Sequence, residues 1–413
     1  MLPQDHELRA VRPVKERIED DLLRLPGVVG VDIGLKRVAG QPTDTVAIRV
    51  LVVEKRDVDD AERVPETING IATDVIQTGP ISFLTCASPA LDQGRYDPLV
   101  GGISIGTRAG PEGVGTLGCI LQANGTGQLL ALSNWHVLVG GVAGALSVIQ
   151  PGPGDGGNSP GDIIGQVSRS AINENVDAAV VPISARAALP LVNGVGRIAG
   201  WRRAAIGDRV KKHGRSSGTT WGDVDTVDAT ISLIDGGVNR VFRRQIAVWR
   251  ADGVSSTFVC PGDSGSAVVI AYSNQVVGLL FAGGGGNPFF PDGALAYCNP
   301  IVDVLYAMDA TVYAPKTKEK DKDKDHEKLG GEKAMKEQDV QLAAKLAVEA
   351  ALVDPVGEAY FTAEQEQGST SAPMAERLAR LEASVNELRH FIRPQDRDEP
   401  IRPQMGDDES GAG

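Results

Sequence analysis

Three segments of the chain carry, in this order, a histidine, an aspartate and a serine, the residue types of nucleophilic chemistry. They are LLALSNWHVLV around His136, NVDAAVVPI around Asp177 and CPGDSGSAVV around Ser264. A serine hydroxyl is a poor nucleophile until a histidine takes its proton, and that imidazole needs a carboxylate on its other nitrogen to fix its tautomer and stabilise its cation. The sequence therefore predicts Ser264 as a nucleophile, His136 as its general base and Asp177 as the group that orients the base.

The residues around the serine add a second part of this chemistry. In the run Gly262-Asp263-Ser264-Gly265, the glycines permit a tight turn. Such a turn directs the backbone N–H groups of Gly262 and Ser264 at one point, where they would stabilise negative charge developing on a carbonyl oxygen. We expect these two groups to form an oxyanion hole.

Residues 1–80 show the patterns of a small α+β domain in front of these motifs. Apolar side chains spaced for one helical face predict an amphipathic helix over residues 13–25, with Pro13 at its start and Pro26 as its stop. The residues that follow predict three strands, over residues 29–36, 46–52 and 71–77. Nothing in this segment suggests a reaction.

The three motifs lie in residues 99–312, which follow a connector at residues 81–98. Short runs of Val, Ile and Leu are separated there by clusters of Gly, Pro, Asn and Asp, and the whole chain has 50 glycines in 413 residues. Short strands separated by many turns are typical of an all-β barrel or sandwich. We therefore expect a mainly β domain to position the candidate residues.

The composition changes again after residue 312. Residues 313–337 are a run of alternating charges too polar to bury, which predicts a flexible linker. Residues 338–413 favour helix, with a short coiled coil at 374–393. The apolar a and d positions of that coiled coil are Met374, Leu378, Leu381, Val385, Leu388 and Ile392. Because so short a helix is marginal alone in water, we expect the stripe to join copies of the chain into a homo-oligomer.

With these motifs, residues 99–312 resemble the trypsin-like serine proteases of the chymotrypsin fold. The stretch VKKHGRSSGTTWGDV at residues 210–224 and the CPGDSG turn are similar to those of the bacterial streptogrisin and alpha-lytic proteases. The SNWHVL and GDSGS variants, together with the N-terminal helix-strand-strand unit, also resemble the narrow-leaf group of trypsin-like peptidases. The resemblance implies a chymotrypsin-type double β-barrel and a serine endopeptidase that acts on peptide or protein substrates without metal or cofactor.

The resemblance also implies how the substrate binds. The residues that would line its binding pocket are Phe281, Ala282 and Gly283. Phe258 stands where Lys- and Arg-cleaving members have an acid, so we expect cleavage after small or medium apolar residues, unless Asp292 reaches the pocket floor. The glycine run at residues 283–286 either lets a substrate strand approach closely or forms a flexible loop, and the sequence leaves both open.

An activation pair is a further implied feature. Asp263, directly before the serine, would be a costly buried charge without a cation beside it. In streptogrisin-like enzymes a basic side chain from the matching segment supplies that cation, and the best match here is Lys212, with Arg215 as the runner-up. The alternative is that both are solvated surface charges. His213, within the same basic run, is expected to be a solvated loop residue.

One departure from the family pattern keeps a second function open. Trp135 replaces the small residue that commonly precedes the histidine, and a bulky indole at this position would narrow the site. The alternative to an enzyme is therefore a catalytically silent trypsin-like scaffold that binds peptides or assembles oligomers.

Composition bears on partners and compartment. Acidic residues outnumber basic ones, 54 to 41, and the net charge of −13 repels a polyanion, so we expect no nucleic-acid partner. No signal-peptide core and no run of about 18 apolar residues occurs, so we expect no membrane association. The cysteines are widely spaced without a C-x-x-C pair, which favours reduced thiols in a cytoplasmic protein. They are Cys86, Cys119, Cys260 and Cys298.

Overall fold

The computed structural model describes residues 5–38, 41–83, 91–107, 114–142, 146–251, 253–255, 257–284 and 294–315. These residues all belong to the first of the two units into which the chain divides, Met1–Pro355. Several sequence expectations concern residues outside the described ranges. They are Cys86, residues 285 and 286 of the glycine run, Asp292, most of the predicted linker, and the predicted helical tail with its coiled coil.

The first element is helix α1, Asp5–Leu23, which begins well before the predicted residue 13. Pro13 lies inside this helix, so its assignment as the helix start was wrong. A proline within a helix removes one hydrogen bond and costs about 3 kcal/mol. Here the apolar stripe continues toward the N-terminus with Leu8 and Val11, which pack in the hydrophobic cluster beneath the helix. Burial of this longer stripe offsets the missing bond.

The described residues of the N-terminal segment, up to Phe83, also contain five strands, β1 (Val28–Val38), β2 (Gln41–Val52), β3 (Thr67–Ile68), β4 (Ile71–Gln77) and β5 (Ser82–Phe83). The three predicted strands are confirmed as β1, β2 and β4. Strand β2 pairs antiparallel with β1 and parallel with β4. Side chains on one face of β1 and β2, including Ile33, Ile48 and Val50, form the core on which α1 packs.

The described residues from 91 onward are mainly β, as their composition predicts. The first strands are β6 (Leu99–Gly101), β7 (Ser104–Ile105), β8 (Gly115–Thr116), β9 (Ile120–Ala123), β10 (Leu129–Ser133), β11 (Ser147–Ile149), β12 (Ile163–Gln166), β13 (Arg169–Ile172), β14 (Asp177–Pro182), β15 (Ala188–Val192) and β16 (Gly196–Arg197). A one-turn helix, α2 (Trp135–Leu138), follows β10, and a 3-10 turn occupies Pro153–Asp155.

The remaining strands are longer. They are β17 (Arg209–Gly214), β18 (Gly218–Asp235), β19 (Val238–Arg250), β20 (Ala267–Ile270), β21 (Val276–Gly284), β22 (Leu295–Pro300) and β23 (Ala310–Val312). Helix α3 (Ile301–Met308) lies between β22 and β23. No helix among the described residues combines the length and apolar character needed to span a membrane.

The largest sheet has eleven strands and includes the N-terminal segment. Its order is β17-β20-β21-β22-β19-β18-β1-β2-β4-β3, with β5 paired to β21. Strand β1 joins β18 through the pairs Gly30↔Ile231 and Val31↔Thr230. The predicted N-terminal unit therefore continues a sheet of the main region through backbone hydrogen bonds.

Buried charges reinforce this junction. On α1, Lys15 Nζ lies 2.5 Å from Glu19 Oε2 and 2.6 Å from Thr230 Oγ1 of β18. On β2, an Arg49 guanidinium nitrogen lies 2.6 Å from Asp225 Oδ2, also on β18. Buried ionic groups tolerate few alternative arrangements because each charge needs its partner. They therefore fix the position of the N-terminal segment on the sheet.

A second sheet of five strands has the order β13-β14-β10-β9-β23. Strands β10 and β14 are neighbours in it, with Ser133 paired to Ala179. His136 follows the end of β10, and Asp177 begins β14, so the pairing places both at the same end of two adjacent strands. Ser264 precedes β20 of the larger sheet. The candidate site therefore combines residues from both sheets.

Candidate active site

His136 lies on α2 and is buried, with 3% of its surface exposed. Its backbone N–H donates to Asp177 Oδ1 at 3.1 Å, and its Nδ1 lies 2.5 Å from Asp177 Oδ2. One carboxylate thus binds both the backbone and the ring of the same histidine. Because an ionised carboxylate only accepts hydrogen bonds, Nδ1 carries the proton and Nε2 is left as an acceptor.

Ser264 lies in the turn before β20 and faces that acceptor. Its Oγ is 2.9 Å from His136 Nε2 and 3.5 Å from the Phe281 carbonyl oxygen. In this geometry the hydroxyl proton can pass to Nε2 while Asp177 stabilises the resulting imidazolium. The structure thus brings together the histidine, aspartate and serine that the sequence selects.

Asp177 is held by polar side chains that sequence reasoning missed. Its backbone N–H donates to Asn299 Oδ1 at 3.0 Å, and Asn299 Nδ2 in turn donates to Gln245 Oε1 at 2.8 Å. Asn134 Nδ2 donates to the Asp177 carbonyl at 2.8 Å. Asn299 and Gln245 are fully buried. The one sequence signal was an asparagine within the apolar run LAYCNP of β22.

The turn that carries the serine is held by Thr116. Thr116 Oγ1 donates to the Gly262 carbonyl at 2.9 Å, and the Thr116 N–H donates to the Ser264 carbonyl at 2.8 Å. Gly262 and Gly265 have φ values of +94° and +95°, a region that favours glycine. At Gly265 a Cβ would also lie 2.2 Å from the Thr116 carbonyl oxygen. Larger residues are therefore excluded at this corner of the turn.

Asp263 lies fully buried beneath the serine, and its main partner is Lys212. The Lys212 ammonium is 2.8 Å from Asp263 Oδ2 and also donates to Ser217 Oγ. Asp263 Oδ1 accepts the backbone N–H groups of Ser216 and Ser217 at 3.0 and 3.1 Å, and Oδ2 accepts that of Cys260 at 2.9 Å. Burial raises the pKa of Asp263, but Lys212 and these hydrogen bonds lower it by a larger amount. The pKa of Asp263 therefore lies below the ordinary value.

Arg215, the alternative partner of Asp263, pairs with Asp155 instead. Its Nε donates to Asp155 Oδ2 at 2.6 Å, and a terminal nitrogen donates to the other carboxylate oxygen. Ser104 Oγ donates to Asp155 Oδ2 at 2.6 Å. Lys212 and Arg215 are both buried, so the alternative of solvated surface charges was wrong. The 3-10 turn supplies a carboxylate that sequence distance did not suggest.

His213 is also not a solvated loop residue, which corrects the sequence expectation. It lies on β17 with 8% of its surface exposed. Its Nε2 is 2.5 Å from Asp92 Oδ2, and its Nδ1 is 2.8 Å from Thr219 Oγ1. Burial raises the pKa of Asp92, but hydrogen bonds from His213, Tyr96 and Asn193 lower it by a larger amount. The pKa of Asp92 therefore lies below the ordinary value. His213 is therefore held in the interior by its contact with the buried Asp92 carboxylate.

The predicted substrate-binding residues lie on β21. The Phe281 side chain is fully buried, and its ring centroid is 4.8 Å from that of Phe242. Ala282 and Gly283 pair antiparallel with Phe83 and Ser82 of β5. Gly283 and Gly284 therefore belong to a strand rather than a loop, and part of the protein's own chain occupies the strand position beside Gly283.

Phe83 also contacts the candidate base, which the sequence did not suggest. Its ring stacks on the His136 imidazole with centroids 4.2 Å apart and an angle of 11° between the planes. Trp135, the residue expected to narrow the site, is half-buried and lies under the Arg240 guanidinium at 5.4 Å from the ring centroid. The aromatic ring that covers His136 is therefore that of Phe83.

The described cysteines, Cys119, Cys260 and Cys298, are free. Burial raises the pKa of Cys119 to about 12 and also raises that of Cys298. Burial and the Asp263 charge raise the pKa of Cys260. A thiol with a raised pKa carries little thiolate near neutral pH. Within the described ranges, no group of three or more His, Cys, Asp or Glu side chains is placed to hold a metal ion.

Over about half of its length, the chain is similar in structure to bacterial serine proteases of the chymotrypsin fold, at low sequence identity. The chymotrypsin of Cellulomonas bogoriensis is 19% identical, with a TM-score of 0.38 and coverage of 52% of this chain and 98% of that one. A Nocardiopsis protease is 20% identical, with a TM-score of 0.39 and coverage of 52% of this chain and 97% of that one. The active form of a protease from M. tuberculosis is 17% identical, with a TM-score of 0.31 and coverage of 52% of this chain and 81% of that one. No family model matches the chain, and no curated protein matches it.

Proposed function

We propose that this protein is a serine endopeptidase with a chymotrypsin-type double β-barrel. Ser264 attacks the substrate carbonyl, and His136 accepts the proton and returns it to the leaving amine. Asp177 keeps His136 in the reactive tautomer. The observation that carries this proposal is the chain of contacts from Ser264 Oγ through the two ring nitrogens of His136 to the Asp177 carboxylate, at 2.9 and 2.5 Å.

The proposal assigns further roles around the serine. The N–H groups of Gly262 and Ser264 stabilise the oxyanion, supported by the positive φ of Gly262 in a turn anchored by Thr116. The Lys212–Asp263 ion pair holds this turn without a proteolytic activation step, since the cation is already inside the protein. Cleavage follows small or medium apolar residues, and the protein acts in the cytoplasm as a homo-oligomer assembled through its C-terminal coiled coil.

The second candidate function is a catalytically silent scaffold that binds peptides or assembles oligomers. The observation that favours it is the Phe83 ring stacked on His136, because a covered base is not accessible to substrate. The same contact is compatible with an enzyme whose site opens. Catalysis and silent binding therefore need a chemical test.

A fluorophosphonate probe separates the two functions, because it reacts only with an activated serine next to an oxyanion hole. We expect the full chain to be labelled at Ser264, and labelling to vanish in Ser264→Ala. In Asp177→Asn the rate should fall by a factor on the order of 10⁴, because the histidine takes the wrong tautomer. A wild-type chain that stays unlabelled, or that is labelled equally in Asp177→Asn, would support the scaffold.

The assembly part of the proposal has its own test. Light scattering of the full chain at micromolar concentration should give a multiple of the 43.3 kDa chain mass. Removal of the chain from residue 374 onward should return the mass of a monomer. A monomer for the full chain would show that the apolar stripe packs internally.

A further inference from the structure

Strand β5 fills an open edge of β21. One edge of β21 pairs with β22, and the other edge pairs with β20 from Val276 to Leu279. Beyond Leu279, β20 forms no further strand pairs with β21. Ala282 and Gly283 lie past this limit and pair with β5. An open strand edge presents N–H and C=O groups that accept an added extended peptide. The edge next to Ser264 thus has the form of a peptide-binding site, and β5 occupies it.

The direction of β5 leads toward the nucleophile. As the chain runs from Ser82 to Phe83, its partners on β21 run from Gly283 to Ala282. The next position along this register is Phe281, whose carbonyl oxygen is 3.5 Å from Ser264 Oγ. In a peptide bound in this register and direction, the residue at the position of Phe83 therefore lies opposite Ala282. The residue after it would lie opposite Phe281, next to Ser264.

The Phe83 side chain adds a contact that backbone pairing alone does not require. Its ring lies almost parallel to the His136 imidazole with centroids 4.2 Å apart. It also makes edge-to-face contacts with the rings of Phe242 and Phe281, at centroid distances of 6.2 and 6.4 Å. Only 7% of the Phe83 surface is exposed. Burial of an aromatic side chain, together with stacking, stabilises β5 where it covers the candidate base.

The segment leading to β5 is anchored to the N-terminal sheet. The Thr78 N–H donates to the Val52 carbonyl at 2.9 Å, directly after β4. Ile81 is buried in the same cluster as Phe83 and Phe281. Because the anchor is part of the same chain, β5 faces the edge of β21 at an effective concentration on the order of millimolar. A substrate arriving from solution has to compete with it.

We propose that β5 is an intramolecular occupant of the substrate-strand position. Ser82 and Phe83 pair with the open edge of β21 and the Phe83 ring covers His136, so an extended peptide binds only after it displaces these two residues. The surface that β5 then leaves free accepts an extended strand whose aromatic side chain faces His136, as the Phe83 side chain does in this structure. This inference rests on the proposed function for its catalytic consequence, and on the structure alone for its binding consequence.

The kinetic test weakens β5 in the full chain in two ways. Phe83→Ala removes the stacked ring, and Ser82→Pro disturbs the strand at an exposed side chain, which leaves the core intact. For hydrolysis of an extended peptide substrate we expect KM to fall by about tenfold or more in both variants with kcat nearly unchanged, because a larger fraction of the protein is competent to bind. Tyr272→Ala, which removes an exposed aromatic ring, and Ser82→Ala serve as matched controls and should leave KM unchanged.

A binding test needs no activity. A fluorescent peptide with the sequence GPISF, corresponding to residues 79–83, is titrated by anisotropy against the full chain carrying Ser264→Ala, with and without Phe83→Ala. We expect binding to be at least about tenfold tighter when the resident ring is absent, and a GPISA peptide to lose that gain.

The two tests separate this inference from the proposed function. Tighter peptide binding without any probe labelling would keep the occupant and reject the endopeptidase. The occupant proposal would be overturned if the protein is labelled and hydrolyses peptide but KM is unchanged in the β5 variants, and the peptide test also shows no difference. In that test, the Ser264→Ala chains with and without Phe83→Ala would bind the peptide equally, or neither would bind it up to millimolar concentration. Lower thermal stability of Phe83→Ala without a change in KM or in peptide binding would also overturn it, because Phe83 would then be only a core residue.

Discussion

The Lys212 ammonium and the Asp263 carboxylate lie 2.8 Å apart with both side chains fully buried, directly beneath the turn that carries Ser264. Neither charge reaches solvent, so each depends on the other and on the surrounding hydrogen bonds. The ion pair links β17 to the nucleophile turn. Stability and chemistry are therefore coupled at one position of the fold.

Lys212→Met should lower the free energy of unfolding by roughly 3–5 kcal/mol, because it leaves Asp263 buried without a cation. Urea denaturation measures this change. Adding Asp263→Asn should recover part of the loss, which a double-mutant cycle quantifies. Lys211→Met is the matched control on the same strand, where the ammonium lies over the Trp221 ring, and should cost less than about 1 kcal/mol. Equal losses at the two lysines would contradict the buried pair.

Replacing Lys212 and Arg215 together by methionine should abolish probe labelling of Ser264. Both cations contact parts of the framework around the nucleophile turn, Lys212 through Asp263 and Arg215 through Asp155. Circular dichroism of the variant should retain the β-sheet signal. Full labelling of the double variant would show that the turn forms without these pairs.

The pKa of Asp263 predicts how stability depends on pH. Its folded-state pKa lies below the ordinary value, so the ionised carboxylate stabilises the fold above the unfolded pKa of about 3.9, and this contribution is lost as pH falls through the folded value. Thermal unfolding between about pH 7 and pH 2 should show stability falling on the acid side. In Asp263→Asn this part of the acid dependence should be absent. An unchanged acid limb would mean that the carboxylate is not stabilised in the fold.

Asn299 is predicted to be a positioning residue for Asp177. Asn299→Ala removes the oxygen that accepts the Asp177 N–H, and the resulting displacement should lower the labelling rate of Ser264 by roughly 10²-fold. A purely structural role would lower stability and leave the pH profile of labelling unchanged. We expect the profile to shift, because His136 loses a fixed carboxylate. A wild-type rate and profile in Asn299→Ala would exclude this role.

His213→Ala should separate stability from chemistry. It leaves Asp92 with fewer donors in a buried position, so the free energy of unfolding should fall by about 1–3 kcal/mol. Labelling of Ser264 should change little, since the ring nitrogens of His213 bond to Thr219 and Asp92 rather than to His136 or Ser264. A large loss of labelling at unchanged stability would give His213 a part in the site.

The candidate nucleophile, base and orienting acid were predictable from the amino-acid order alone, because each lies in a short local motif whose residue types carry the chemistry. The three longer strands of the N-terminal segment, β1, β2 and β4, were predictable as well, since their alternating apolar residues are visible in the sequence. Lys212 was identified through a resemblance of its local segment. These features depend on near neighbours in the chain, which a sequence displays directly.

Contacts between groups that are distant in the chain were not predictable in this way. Asn299 reaches Asp177 across 122 positions, and Asp92 reaches His213 across 121, so no local pattern records either contact. The same holds for Phe83 on His136, where a two-residue strand is too short to show a period. Such contacts form because burial leaves each polar group few possible partners and each open strand edge few possible occupants, and these choices are made by the packing of the whole chain.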